Sequence, residues 1–242
     1  MTGVILSGHL RRCDGLPCEA TAYVGRWLEP GDIGNVIALH HTVRDAVAPE
    51  LLCHETDAFF HEHCRARGRI LGLFAEGQLI GYGVIGLPTA DQDSFADQFG
   101  LSPEQRAVVA TIDGAGVLTR WRGNGLQRRL VVARIEAAKA AGRQIAVSTV
   151  APGNLPSLRN LLAEGLTVRA LRPAFGGLRF LMRRDLDQSV TPPAAGHWIA
   201  VSDTVRATAA LALGLQGWVL SEATEGPRIW YGRIDGTDEA VG

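Results

Sequence analysis

Apolar residues recur along this chain at short strand spacing in some stretches and at three- and four-residue spacing in others. Residues 23–28 fit a short strand, which Pro30-Gly31 ends. Asp32 is placed to cap a helix with Ile33, Val36, Ile37 and His40 on one side. A second helix is predicted over about 55–67. Two strand-like runs follow, 70–75 and 79–85, with Glu76-Gly77-Gln78 between them as a hairpin turn. Residues 88–106 break the pattern, with Pro88, three aspartates and Gly100. They read as a solvated insertion or a binding lid, and Ser102-x-x-Gln105 has the form of a capping box. Residues 108–119 are strand-like, and Gly114 and Gly116 inside them suggest a bulge or a close approach. A helix over about 125–141 carries Leu126, Leu130, Ala133 and Ala137 as one stripe, widened by Val131, Ile135 and Ala138. Gly142 ends it. A strand over 145–150, a helix from the cap Asn154 to about Ala163, and strands over 167–171 and 178–183 complete this region.

The two ends read differently. Residues 1–20 show no period and contain Gly3, Gly8, Gly15 and Pro17, which suits a leader. Thr191-Pro192-Pro193 reads as a linker. Beyond it come a strand (198–201), a helix (203–213) and two strands (218–220 and 229–233). The expected organisation is thus a leader, 1–20, a main domain, 21–188, and an extension, 189–242. Ile145-Ala146-Val147-Ser148 recurs as Ile199-Ala200-Val201-Ser202, and Gly165-Leu166 recurs as Gly214-Leu215. This resembles a decayed strand-helix-strand-strand repeat, although chance also yields four-letter matches. The extension is too short to bury a core of its own, so it is expected to cover a sheet edge of the main domain or a second subunit.

Composition removes several classes of function. The chain has 242 residues, 46% of them apolar and 20% charged, an ordinary soluble balance. With 24 basic and 25 acidic residues it has no global field to recruit nucleic acid or an anionic membrane. Lys139 is its one lysine and has alanines on both sides, which excludes a Walker P-loop and speaks against a Schiff-base enzyme. Cys13, Cys18, Cys53 and Cys64 form no C-x-x-C pair and no disulfide scaffold. No apolar run approaches 18 residues. Residues 1–6 are too short for a signal-peptide core, and Arg11 and Arg12 follow them instead of preceding them. A cytoplasmic protein is expected.

The chemistry concentrates in Val117-Leu118-Thr119-Arg120-Trp121-Arg122-Gly123-Asn124-Gly125-Leu126, where a strand runs into a helix through glycines. A helix start leaves N–H groups unpaired and carries partial positive charge, and glycines let an anion come close. Arg128 and Arg129 oppose the helix dipole and suit an anion there, or are ordinary surface arginines. A dinucleotide fingerprint would need a third glycine where Arg128 stands.

Arg120-x-x-Gly123-x-Gly125 matches the R/Q-x-x-G-x-G/A pattern of the GNAT superfamily of N-acetyltransferases. The order of surrounding elements matches too, and the resemblance extends over about 23–185. It implies an α/β (α+β) fold: a mixed, splayed central sheet flanked by helices, with the strand-helix-strand-strand extension added. It implies acetyl-CoA in a V-shaped opening. Backbone groups of Val117, Leu118 and Thr119 would pair with the pantetheine arm. Amides of Arg122, Gly123, Asn124, Gly125, Leu126 and Gln127 would hold the pyrophosphate, with Arg120 opening the motif. Asn154 and Ser157 match the family's N-x-x-[SA] element beside the cofactor; helix capping alone is the plainer account. Where many members carry a tyrosine acid, this chain has Leu161, so that acid is missing, replaced or unnecessary.

A base is also needed, since an ammonium cannot attack a thioester. Asp113 stands four residues before Val117, on the same face of a regular strand, and is the expected base; the bland account is an ion-paired aspartate near a sheet edge. Cys53-His54 and His61-Glu62-His63-Cys64 make a poor tetrahedral set, and no metal is expected: core cysteines and surface histidines explain them better. His40 and His41 lie in the region that lines the acceptor pocket in the family, yet ordinary surface or core roles suffice. The expected activity is acetyl transfer from acetyl-CoA to a small-molecule amine by direct attack on the thioester. A different acyl group, a protein amine, or a non-catalytic acyl-CoA-binding or regulatory module are the alternatives. No nucleic acid or membrane partner is expected, and a homodimer is left open.

Overall fold

The turn read at Glu76-Gly77 forms as a two-residue hairpin. Both residues have positive φ (52° and 72°), the pairing of signs that matches strand twist. It joins two strands of one large sheet in a computed structural model that describes residues 3–11, 20–53, 55–92, 94–188 and 191–234. Cys13, Cys18 and His54 lie outside the described residues, as does Asp93 of the polar insertion.

The strands are β1 (Leu6–Leu10), β2 (Thr21–Trp27), β3 (Gly68–Ala75), β4 (Gln78–Gly86), β5 (Val109–Val117), β6 (Ile145–Val150), β7 (Thr167–Ala174), β8 (Gly177–Asp185), β9 (His197–Ala200), β10 (Gln216–Ala223) and β11 (Gly226–Gly232). Their order is β1-β2-β3-β4-β5-β6-β8-β7-β10-β11-β9. Neighbours are antiparallel except β5 and β6, which run parallel. The helices are α1 (Ile33–Asp45), α2 (Asp57–Glu62), α3 (Pro103–Ala107), α4 (Leu126–Ala140), α5 (Leu155–Ala163) and α6 (Thr204–Ala212). The mixed, splayed sheet flanked by helices agrees with the fold class expected from sequence.

Side-chain alternation along the strands sorts the helices onto two faces. α1 and α2 close one core through Val36, Leu39, Val43 and Phe60 on Ile70, Tyr82 and Val84. The stripe of α4 packs on the other face, with Leu126, Leu130 and Val131 against Leu71, Ile85 and Ile112. Gly142 ends α4 at φ +72°, and the Arg143 amide reaches back to the Ala138 carbonyl at 3.0 Å, a Schellman closure.

Three readings are corrected. The stretch taken as a leader contributes β1, paired with β2 from Leu6↔Gly25 to Leu10↔Thr21, and Leu10 is buried. Gly8 interrupts its apolar rhythm, which hid the strand. The insertion over 88–106 is not merely solvated: Ala96 and Leu101 are buried beside Val109, Ile145 and Val147. The helix expected over 55–67 is cut short at Glu62 and continues as a π turn, His63–Arg67.

Trp121 is wholly buried in the main core and anchors the turn before α4. Trp121→Ala should therefore cost about 3–5 kcal/mol of stability. Urea denaturation measures this, and a change within experimental error would show that the turn is not held by its ring.

Candidate active site

The β5–β6 ladder is short. Val109, Ala110 and Thr111 pair with Ile145, Ala146 and Val147, and there the pairing ends. Beyond it β5 stays with β4 and β6 with β8, so the two strands diverge. The Ser148 hydroxyl makes one last link, donating to the Ile112 carbonyl at 2.7 Å. A cavity of about 290 Å3 fills the fork.

The inner end of the fork is shaped by a bulge. Gly83 faces Ala115 and Ile85 faces Ile112, which leaves Asp113 and Gly114 together opposite Val84. The extra residue reverses the alternation. Asp113 does not share a face with Val117, as regular spacing predicted; it turns with Thr111 toward α2. Arg134 of α4 pins the bulge from behind. Its buried guanidinium donates to the carbonyls of Val84 and Asp113, each at 2.9 Å, and its Nε to the Leu130 carbonyl. Burial pulls its pKa down to about 10, against the charge of Asp113, so it stays cationic at neutral pH.

The π turn brings His63 onto Asp113, with Nε2 3.2 Å from Oδ2. Nδ1 lies 2.8 Å from the Phe59 carbonyl, which only accepts, so Nδ1 carries a proton. A neutral ring would then aim a bare lone pair at the carboxylate. A proton between Nε2 and Oδ2 resolves the contact, giving imidazolium and carboxylate. Burial pushes the imidazole down, but the Asp113 bond and charge, the Phe59 carbonyl and the Glu55 charge together hold it above its ordinary value. Asp113 Oδ2 also accepts from the Thr111 hydroxyl at 2.8 Å.

Glu55 lies across the bulge: a Cβ on Gly114 would sit 3.5 Å from its Oε1. Burial and the Asp113 charge raise its carboxyl to about 7, outweighing the Cys53 thiol and His63, which lower it. Cys53 is pushed to about 12 by burial and by the charge and hydrogen bond of Glu55, so it remains a thiol and no nucleophile. Arg179 closes this side, bonding the carbonyls of Glu50, Leu52, Phe175 and Leu178.

Over the outer end of the fork stands the start of α4. Gly123 and Gly125 have φ of +79° and +68°, the region that favours glycine. Gly125 has open space where a side chain would be, and the Leu126, Gln127 and Arg128 amides have no acceptor inside the helix. The loop's residues are divided in use. The Leu118 amide donates to the Ile80 carbonyl and that of Arg122 to the Thr119 carbonyl, so these two expected donors are already engaged. The Val117 carbonyl accepts from Arg122 Nε at 3.2 Å. Arg120 turns outward to Gln78 Oε1. The Asn124 side chain grips the backbone of Arg11 through two bonds, 2.9 and 2.7 Å. Asn154 caps α5, accepting from the Ser157 amide at 3.3 Å, and both residues line the cavity with Gln127 and Leu161.

Of the residues expected at the site, Asp113, Gln127, Asn154 and Ser157 line this cavity, whereas Val117, Leu118, Thr119, Arg120, Arg122, Gly123, Asn124, Gly125 and Leu126 are not among its lining. Sequence reasoning missed Glu55 and Arg134, and it read His63 as a surface residue, whereas His63 is buried and paired. His61 is exposed, His41 is half-buried, and His40 is buried with Nδ1 2.7 Å from the Tyr82 hydroxyl. Among the described residues no three His, Cys, Asp or Glu side chains converge as a metal set.

A mixed sheet forked at one parallel pair, with an open helix start above the fork, defines an acetyltransferase fold. The sequence model of the acetyltransferase (GNAT) family matches residues 37–162, just over half of the chain, and the chain belongs to that family. Solved structures agree on the fold. The Salmonella typhimurium yncA protein, solved with its cofactor acetyl-CoA, is 20% identical, with 72% of this chain and 99% of that one covered at TM-score 0.53. The ribosomal-protein-S5-alanine acetyltransferase of Vibrio fischeri is 17% identical, with 70% and 96% covered and TM-score 0.52. The loading GNATL domain of CurA from Lyngbya majuscula is 16% identical, with 68% and 98% covered and TM-score 0.51. No curated protein sequence matches the chain.

An unfolded glutamate releases its proton near 4.5, and folded Glu55 near 7. Between these values the folded chain holds more proton, so the stability linked to Glu55 falls as pH rises. The raised His63 acts in the same direction: its contribution is full below 6.5 and fades as pH passes its folded value. Relative to wild type, Glu55→Gln should therefore gain on the order of 1–3 kcal/mol between pH 5 and pH 8. Denaturant titrations at both pH values test this, and parallel curves would reject the assignment of a raised carboxyl.

Proposed function

We propose that the chain transfers an acetyl group from acetyl-CoA to the amine of a small molecule. The observation that carries this reading is one cavity with a phosphate-ready helix start at its mouth and the Glu55 carboxylate at its inner end. Acetyl-CoA supplies the activated acyl group as a thioester. The amides of Gly123, Asn124, Gly125, Leu126 and Gln127 are assigned to its pyrophosphate, and backbone groups of Val117 and Thr119, with Asn154 and Ser157, to its arm. The Leu118 and Arg122 amides and the Arg120 side chain hold the loop instead.

A primary amine reaches the site as an ammonium and must lose a proton before its nitrogen bonds the thioester carbon. Asp113 is committed, since its Oδ2 accepts from both Thr111 and His63. His63 has both ring nitrogens engaged. Glu55, in contact with the bulge and raised to about 7, is the group with capacity to accept the proton near neutral pH. Asp113 and His63 position it and set its charge. As the C–S bond breaks, Leu161 offers no acid to the sulfur. A thiol of pKa about 8.5 leaves readily as thiolate, so no acid is demanded. Phe59, Phe95 and Phe175 wall the cavity, which suits a small acceptor better than a protein chain.

Two variants test separate halves of this reading. Gly123→Glu should abolish acetyl-CoA binding in calorimetry while leaving a folded chain, because a side chain and a negative charge enter the cradle; undiminished affinity would make the turn purely structural. Glu55→Gln should bind acetyl-CoA as wild type does, yet lower thiol release against an amine panel by about 10²–10⁴-fold. It should also erase the limb of the wild-type rate profile that rises near pH 7. Full turnover in Glu55→Gln would refute the base, and no turnover by wild type with any amine would favour a non-catalytic acyl-CoA-binding module.

A further inference from the structure

The second half of the sheet is a palindrome of strands. From β6 the order runs β6-β8-β7, then β10-β11-β9. Each half is a strand, a helix and an antiparallel hairpin in the same sequence order: β6-α5-β7-β8 and β9-α6-β10-β11. Local geometry repeats at one constant spacing along the chain. Asn154 and Asp203 cap their helices at φ −84° with ψ 67° and 73°, and each accepts from the amide three residues on. Gly165 and Gly214 end those helices at φ +76° and +80°. The amides of Leu166 and Leu215 reach back to Leu161 and Ala210, both at 3.1 Å. Bulges interrupt the hairpins at equivalent places, between Val168 and Ala170 and between Gly217 and Val219.

The decisive feature is where the halves meet. β7 pairs with β10 antiparallel, with Val168 opposite Gly217. These two residues are each other's counterparts. So are Thr167 and Gln216, whose hydroxyl and side-chain oxygen lie 3.2 Å apart across the seam. A residue that faces its own equivalent marks a two-fold axis, the signature of an interface between identical units. α5 packs on β10 and α6 on β7, again exchanged symmetrically. The second unit lacks counterparts of 149–153, the end of β6 and the turn after it, which line the cavity of the first through Thr149, Val150 and Ala151. It keeps the pairing face and has lost the site.

We infer that residues 197–234 are a reduced second copy of the β6-α5-β7-β8 unit and fill, within one chain, a two-fold pairing face that would otherwise take a second copy of this chain. This is independent of the acceptor and of the catalytic reading. The face belongs to the common core: Val168, Ile199, Ala207, Ala210 and Ile229 are buried in one cluster with the main sheet. An ion pair between Arg159 of α5 and Glu222 of β10 crosses the seam.

Cysteine variants of the full chain separate pairing within a chain from pairing between chains. A Cβ at Gly217 would lie 3.0 Å from that of Val168 and 2.9 Å from Ile229 Cγ2, so a disulfide forms once the strands part by about 0.5–1 Å and Ile229 gives way. Oxidised Val168→Cys/Gly217→Cys should close internally, and mass spectrometry of the linked peptides should show one chain. Val168→Cys alone should give no dimer linked through position 168 at any protein concentration, because its own chain covers it. Such a dimer, or failure of the double variant to close internally, overturns the inference. Should a variant not fold, hydrogen exchange on wild type decides: protection of the β10 amides should not change with protein concentration, and protection that rises with concentration would mean that the seam forms between chains.

Discussion

The parallel ladder between β5 and β6 stops after Thr111 and Val147, and most of the site's architecture answers that interruption. Backbone groups that lose a ladder partner must find another or face water. Here Ser148 takes the Ile112 carbonyl, and at the adjoining β4–β5 bulge Arg134 takes those of Val84 and Asp113. These three carbonyls thus keep hydrogen-bond partners where the fork opens. A guanidinium is suited to this task because its donors are fixed in a plane and reach two strands at once. A cation thus sits behind the bulge and interacts with the Asp113 charge, and the carboxylates of Asp113 and Glu55 line the same cavity.

Those carboxylates are not equivalent. Asp113 shares a proton with His63 and a hydroxyl bond with Thr111, and is fixed in place by both. Glu55 has the weak thiol of Cys53 as its hydrogen-bonding partner and bears the repulsion of Asp113. Two acids in one cavity are pushed apart in character by their partners, one toward a structural role and the other toward proton exchange near neutral pH. The π turn is what makes this division available, since it carries His63 inward where a continued α-helix was expected to leave it on the surface.

The sequence disclosed the elements that rest on periodicity or on backbone demands. The stripe of α4, the Glu76-Gly77 turn, the capping box at Ser102 and the Gly123-Asn124-Gly125 junction each follow from a local rule, and each is found. What escaped is what depends on contacts distant in sequence. β1 holds because β2 offers it a ladder, and no residue in it declares a strand. Asp113 stood out in the sequence as an acid inside an apolar strand, but its direction was not legible, because one extra residue in β5 reverses every side chain after it. Glu55 precedes a short helix as an ordinary loop acid, and only the folded chain brings it to Gly114. Arg134 was hidden by the abundance of arginine, one among 23.

The seam between β7 and β10 also bears on how this protein can change. In a dimer of identical chains every substitution near the two-fold axis is made twice, and a bulky residue on the axis meets its own image. With both halves encoded in one chain, the two sides are free to diverge. Val168 is matched by Gly217, which leaves room for the valine that a second valine would have occupied. Arg159 finds Glu222, a pair with no mirror-image mate, since the equivalent positions hold Thr208 and Pro173. Duplication turned a contact bound by symmetry into one on which selection can act one side at a time.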